Sequence, residues 1–122
     1  MTVQELYSKI GNYEEAKRRL MNDKLIAKFA VRFLHDPTYG QLTEALEKGD
    51  GEEIFKAAHT LKGVCANLAL SKLAELASVV TEAYRPGQNF RPSDSDISEA
   101  VQNLKERYEE TVEEIKKYES EQ

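Results

Sequence analysis

DGEEIFKAAHTLKGVCANL, residues 50–68, reads as a single amphipathic helix. Asp50, with Glu53 three residues on, has the form of a capping box in which a carboxylate replaces the hydroxyl, and it predicts a helix start at that point. On a wheel turning about 100° per residue, with His59 at zero, Ile54, Ala57, Leu61, Val64, Cys65 and Leu68 fall within roughly 60° of the opposite pole. Glu52, Phe55, Lys56, Lys62, Gly63 and Ala66 fall within about the same angle of His59. The stripe must be buried against other elements, and the histidine then faces away from the core.

The same turn chemistry divides the flanking sequence. Upstream, Asp36-Pro37 is a cap and first-turn pair for a helix from Pro37 to Lys48, with Leu42, Ala45 and Leu46 inward and Gly49 as its stop. Before it, a helix opening near Asn22 or Asp23 repeats Ile26, Phe29, Ala30 and Phe33 on one face and ends at His35-Asp36-Pro37. A first amphipathic stretch, about residues 2–20, is interrupted at Gly11-Asn12, with Leu6, Ile10, Tyr13 and Leu20 as its apolar points. Downstream, Ser71 is read as the cap of a helix reaching about Tyr84, striped by Leu73, Leu76, Ala77 and Val80 and ended by Arg85-Pro86-Gly87. After the longest loop, Pro86 to Asp96, a last helix runs from about Asp96 to Tyr118 with the seam Ile97, Val101, Leu104, Tyr108, Val112 and Ile115. That seam is short for a free coiled coil, so it is expected to pack on the other helices. No run alternates in the manner of a strand. Short connections between long helices favour antiparallel neighbours, which predicts an all-α, up-and-down four-helix bundle.

Composition narrows the function. A chain of 122 residues suits one domain. Lys and Arg number 17 against 22 Asp and Glu, for a net charge of -5, which argues against nucleic acid as a partner despite the run Lys17-Arg18-Arg19. No segment approaches the roughly 20 apolar residues of a membrane helix, and the N-terminus lacks the order of a secretory signal, so a cytoplasmic protein without a membrane partner is expected. The single Cys65 and two histidines do not make a Cys/His zinc site. The charged tail Lys116 to Gln122 reads as a natural end of the chain.

The histidine face has an unusual make-up. Lys62 and Gly63 follow His59 at the three- and four-residue spacings that place them beside the imidazole. A glycine in mid-helix costs about 1 kcal/mol relative to alanine. Close helix packing is a poor explanation for it, because Gly63 points away from the apolar stripe; a bare patch that lets another protein approach the imidazole is a better one. Lysines are commonly solvated, but one at this spacing can also hold an anion bound to the ring. A neutral imidazole is a good nucleophile near neutral pH, and a phosphoryl group accepted on it becomes an exposed dianion in need of a cation. The sequence contains neither G-x-x-x-x-G-K-[ST] nor G-x-G-x-x-G, so ATP is not bound by either device and the phosphoryl group must come from another protein. His35 belongs to a helix C-terminus and makes no triad or metal site with His59.

Ala58-His59-Thr60-Leu61-Lys62-Gly63, continued as Val64-Cys65-Ala66-Asn67-Leu68, resembles the signature of histidine-containing phosphotransfer domains, H-x-L-K-G followed by small residues and then A-N-L. Phe33-Leu34-His35-Asp36-Pro37 and Ala45-Leu46-Glu47-Lys48-Gly49-Asp50 resemble the family upstream, and the likeness spans about residues 22–85. It implies a bundle over residues 22–122 with an accessory N-terminal helical segment at 1–21. It also implies that His59 is the phosphoacceptor, Lys62 the neighbour that stabilises the phosphoryl group, and Gly63 the gap that admits the partner. Phe55, Lys56 and Ala66 are candidates for the docking rim, whereas Asn67 is read as ordinary surface. Val64 and Cys65 depart from the pattern where Ser or another small residue is usual, and Ala69 stands where Gly is common. The wheel puts Val64 and Cys65 on the buried side, so altered packing is expected rather than lost chemistry.

The implied partners are response-regulator receiver domains and a hybrid sensor histidine kinase. The phosphoryl group comes from a receiver phospho-aspartate and is relayed to another receiver. The chain is then a phosphocarrier and not an enzyme, a monomer that needs no cofactor, with Mg2+ only in the partner receiver. The alternative is a phosphate-independent helical adaptor that binds signalling partners. A histidine-kinase dimerisation segment would adjoin an ATP-binding domain, for which 122 residues leave no space. A metal-binding four-helix bundle would show a Glu-x-x-His motif, which is absent from the chain.

Overall fold

The computed structural model describes residues 1–122 and is wholly helical. The elements are α1 (Val3–Ile10), α2 (Tyr13–Leu20), α3 (Asp23–Phe33), α4 (Thr38–Lys48), α5 (Gly51–Asn67), α6 (Ser71–Ala83) and α7 (Asp94–Ser120). Helix α5 is flanked by α4 on one side and α6 on the other; α6 packs against α7, and α7 packs in turn against α3 and α1. The chain is a helical bundle, as the apolar periodicity predicts.

Local chemistry accounts for most of the helix ends. Asn12, Asn22, Asp50 and Ser93 each accept a hydrogen bond from the backbone N–H three residues on, which satisfies a donor the helix leaves orphaned. At Asp50 this is the Glu53 N–H, at 3.3 Å. The reciprocal capping box forms instead at Thr2 and Glu5, on α1. Asp36 Oδ1 accepts from the Thr38 N–H at 2.8 Å, so its carboxylate caps α4 from two residues upstream. Gly49 adopts φ +68 and closes α4 through the left-handed conformation that glycine takes at no steric cost. Several boundaries differ from the sequence reading: α4 opens at Thr38 with Pro37 in the cap position, and α7 runs on to Ser120. Ser71 is the first residue of α6 and not its cap: the cap position belongs to Leu70, without a side-chain hydrogen bond, and the Ser71 hydroxyl donates back to the Ala69 carbonyl at 3.4 Å. Helix α7 opens at Asp94, two residues before Asp96, because Ser93 supplies the cap.

The core is built from the stripes. Ile26, Leu42, Ile54, Leu61, Cys65, Leu70, Leu73, Ala77, Val80, Leu104 and Ile115 are fully or almost fully buried. Leu76, Val101, Tyr108 and Val112 are only half-buried, and Ala58, adjoining the histidine, is wholly buried. Thr81 and Thr111 are buried too; their hydroxyls donate to the carbonyls of Ala77 (2.8 Å) and Arg107 (2.7 Å), which removes the cost of burying an unpaired polar group.

The first helix belongs to the same core. Val3, Leu6, Tyr7 and Ile10 are buried, and the Tyr7 hydroxyl donates to the Leu68 carbonyl at 2.8 Å. The α1–α2 turn meets the α5–α6 turn at Ala69, whose carbonyl accepts from the Asn12 N–H at 3.0 Å. A Cβ on Gly11 would stand 2.2 Å from that carbonyl oxygen, so close approach of two backbones is why glycine occupies the position. Ala69 has φ +55, the conformation that glycine favours, which is a physical reason for the family preference noted there.

Candidate functional site

Burial of the α5 stripe fixes what the opposite face presents. Ile54, Ala57, Ala58, Leu61, Cys65 and Leu68 are buried, and His59 and Gly63 are exposed, with Lys62 half-buried beside them. A Cβ built on Gly63 meets no atom within 4 Å. Packing therefore does not require glycine there, and the backbone next to the imidazole is bare.

The two flanks of His59 differ. Toward α6, the half-buried Phe55 ring stacks on the imidazole at a centroid distance of 5.7 Å and an interplanar angle of 16°. Arg85, just past α6, places its guanidinium carbon 5.2 Å from the Phe55 centroid. Its Nε and Nη2 donate to Glu82 Oε2 and Oε1 at 2.7 and 2.8 Å. That two-pronged bond holds the Glu82 carboxyl below its usual range; burial opposes it, and the charges of Arg85 and Lys62 add to the lowering. Glu82 is thus linked to the histidine face by contact, through Arg85 and the Phe55 ring. Toward α4, Lys56 pairs with Glu52 (3.5 Å) and Glu53 (3.7 Å) and lines a depression with Gln41, Glu44 and Lys48.

Of the residues read from the sequence, the structure brings His59, Lys62, Gly63 and Phe55 to one surface. Lys56 lies on the α4 flank in its acidic pairs, Ala66 is half-buried, and Asn67 is exposed at the rim of a cleft shared with Phe29 and Arg32 of α3. Val64 lines the same cleft and is only half-buried, while Cys65 is wholly inside. Burial, with a smaller push from the Asp36 charge, raises the Cys65 thiol to about 12, so it stays protonated at neutral pH and is no nucleophile. No group of three or more His, Cys, Asp or Glu side chains is placed to hold a metal ion. No helix is long and apolar enough to cross a membrane.

Glu82 and Arg85 were missed by reading helices one at a time. The available signal was the hairpin register: counting back along α5 and forward along α6 from the turn at Leu68–Leu70 brings Phe55 opposite the end of α6.

Comparison with family models then decides the kinship: the Hpt domain model matches residues 36–116, from just before α4 into α7. The chain belongs to the Hpt domain family. The match runs past Tyr84, where the resemblance in the sequence ended, and takes in the closing helix. Hpt domains are helical bundles that act in histidine phosphotransfer within phosphorelays, together with receiver domains. Searches of curated proteins and of solved structures returned no match.

Proposed function

We propose that this Hpt domain accepts a phosphoryl group on His59 from a receiver-domain phospho-aspartate and relays it to another receiver. The observation that carries the reading is an exposed imidazole beside a mid-helix glycine that packing does not need, with Lys62 at its side. In the transfer, an imidazole nitrogen of His59 attacks phosphorus in line with the acyl phosphate. The N–P bond forms as the P–O bond breaks, and its electron pair returns to the receiver's aspartate carboxylate. Lys62 offsets the dianion left on the ring. Gly63 gives the receiver the clearance to bring its phosphoryl group that close, and Phe55, Lys56 and Ala66 form the docking rim.

On this reading the protein is a cytoplasmic, monomeric phosphocarrier with no kinase activity and no cofactor of its own. The receiver contributes Mg2+, and a hybrid sensor histidine kinase is the upstream source. Residues 22–122 form the phosphotransfer bundle and residues 1–21 an accessory segment that braces it.

The test is a panel of receiver domains charged with acetyl phosphate and mixed with wild type and His59→Gln. Acid-labile, base-stable label on the wild type alone is the expected result. Folded wild type that binds receivers without taking label from any of them would overturn the reading in favour of a phosphate-independent adaptor.

A further inference from the structure

The α6 flank of His59 carries a charge device that the transfer step leaves unused. Arg85 stands one aromatic ring from the nucleophile, its guanidinium carbon 5.2 Å from the Phe55 centroid and that ring 5.7 Å from the imidazole. In the resting protein its charge is neutralised by the two hydrogen bonds to Glu82, at 2.7 and 2.8 Å. Both partners are solvent-accessible, with side chains 43% and 52% exposed, so the pair can open at little cost. Lys56 is engaged with Glu52 and Glu53 on the other flank, which leaves Lys62, three residues on from His59, as the cation of the histidine's own turn. A phosphoryl dianion on His59 changes this balance: it repels the Glu82 carboxylate and attracts the guanidinium, whose planar fork matches phosphoryl oxygens better than an ammonium does.

We propose that Arg85 is a held-back second cation for phosphohistidine, resting on Phe55 and paired with Glu82 until the phosphoryl group arrives, then exchanging carboxylate for phosphoryl oxygens. Arg85 and Glu82 thus act with opposite sign: the arginine stabilises the phosphorylated state by direct contact and the glutamate opposes it by holding the arginine back. The inference rests on His59 as the phosphoacceptor.

A test without any receiver keeps the two claims apart. Phosphoramidate loads the imidazole directly: the N–P bond to the ring forms as the P–N bond of the donor breaks, and the amine leaves as ammonium with the proton the ring gives up. The titration of the phosphoryl group is then followed by 31P NMR in wild type, Arg85→Ala, Arg85→Lys and Glu82→Gln, each checked for helix content by circular dichroism. A nearby cation favours the dianion, so Arg85→Ala raises the phosphoryl pKa by about half a unit and Glu82→Gln lowers it by about as much. Arg85→Lys falls between wild type and Arg85→Ala. Shifts of the same sign in Arg85→Ala and Glu82→Gln, or none in either, overturn the proposal while His59 remains the acceptor. A wild type with no phosphohistidine signal overturns the acceptor reading and this inference together.

Discussion

Gly63 condenses the functional argument into one residue. An interior glycine costs helix stability, and the open space around its Cβ position shows that packing returns nothing for it. Gly63→Ala is therefore expected to stabilise the protein by about 0.5–1 kcal/mol in chemical denaturation. Gly63→Gln should leave the circular dichroism spectrum intact and abolish transfer from receivers; unchanged transfer would remove the clearance role. Cys65 behaves oppositely, as a residue of the core. Its thiol, raised by burial from the ordinary 9.0 to about 12, should resist a thiol reagent at pH 8 until the protein is unfolded. The contribution of the protonated thiol to stability is therefore complete below pH 9 and is lost as pH rises toward 12. His59, Lys62 and Gly63 were legible in the sequence because one helix carries all three at helical spacing. Glu82 and Arg85 were not, because their relation to His59 crosses from α6 to α5 and exists only once the hairpin register is set.

At the scale of the elements, the junction of the α1–α2 turn with the α5–α6 turn joins the N-terminal helices to the site helix. Gly11→Ala forces a methyl onto the Ala69 carbonyl oxygen, far inside van der Waals contact, and should destabilise by about 1–3 kcal/mol in denaturant titration. Tyr7→Phe leaves the buried Leu68 carbonyl without its 2.8 Å partner and is expected to cost about 1–2 kcal/mol. The same titration with no change in either variant would mean that α1 adds nothing to the bundle. Helix existence, type and inward faces were readable from periodicity, and the caps at Asn22, Asp50 and Gly49 from residue type. The packing of α1 was not, since Leu6 and Ile10 announce a buried face without saying what covers it. Ser71 misled because a hydroxyl ahead of an apolar stripe is also what a first-turn residue looks like.

Over the whole molecule, the closing helix packs on α6, α3 and α1 and carries none of the residues of the histidine face. Leu104 and Ile115, both almost fully buried, anchor α7 in the common core. Ile115→Ala should cost about 2–5 kcal/mol and lower the thermal midpoint, yet at a temperature where the variant is folded its transfer should match wild type. The bundle class followed from short connections and striped helices, whereas the order in which α7 meets α6, α3 and α1 needed coordinates. What the bundle does for function is to hold α5 by its apolar stripe so that His59, Lys62 and Gly63 stay outward. The most direct measurement uses the fact that the chain has two histidines. In 15N-histidine-labelled protein mixed with a phosphorylated receiver, the ring nitrogen resonances of His59 should move to the pattern of an N-phosphorylated imidazole while those of His35 stay in place. Movement at His35 alone, or at neither ring as the receiver loses its phosphoryl group, would contradict the assignment of His59 as the acceptor.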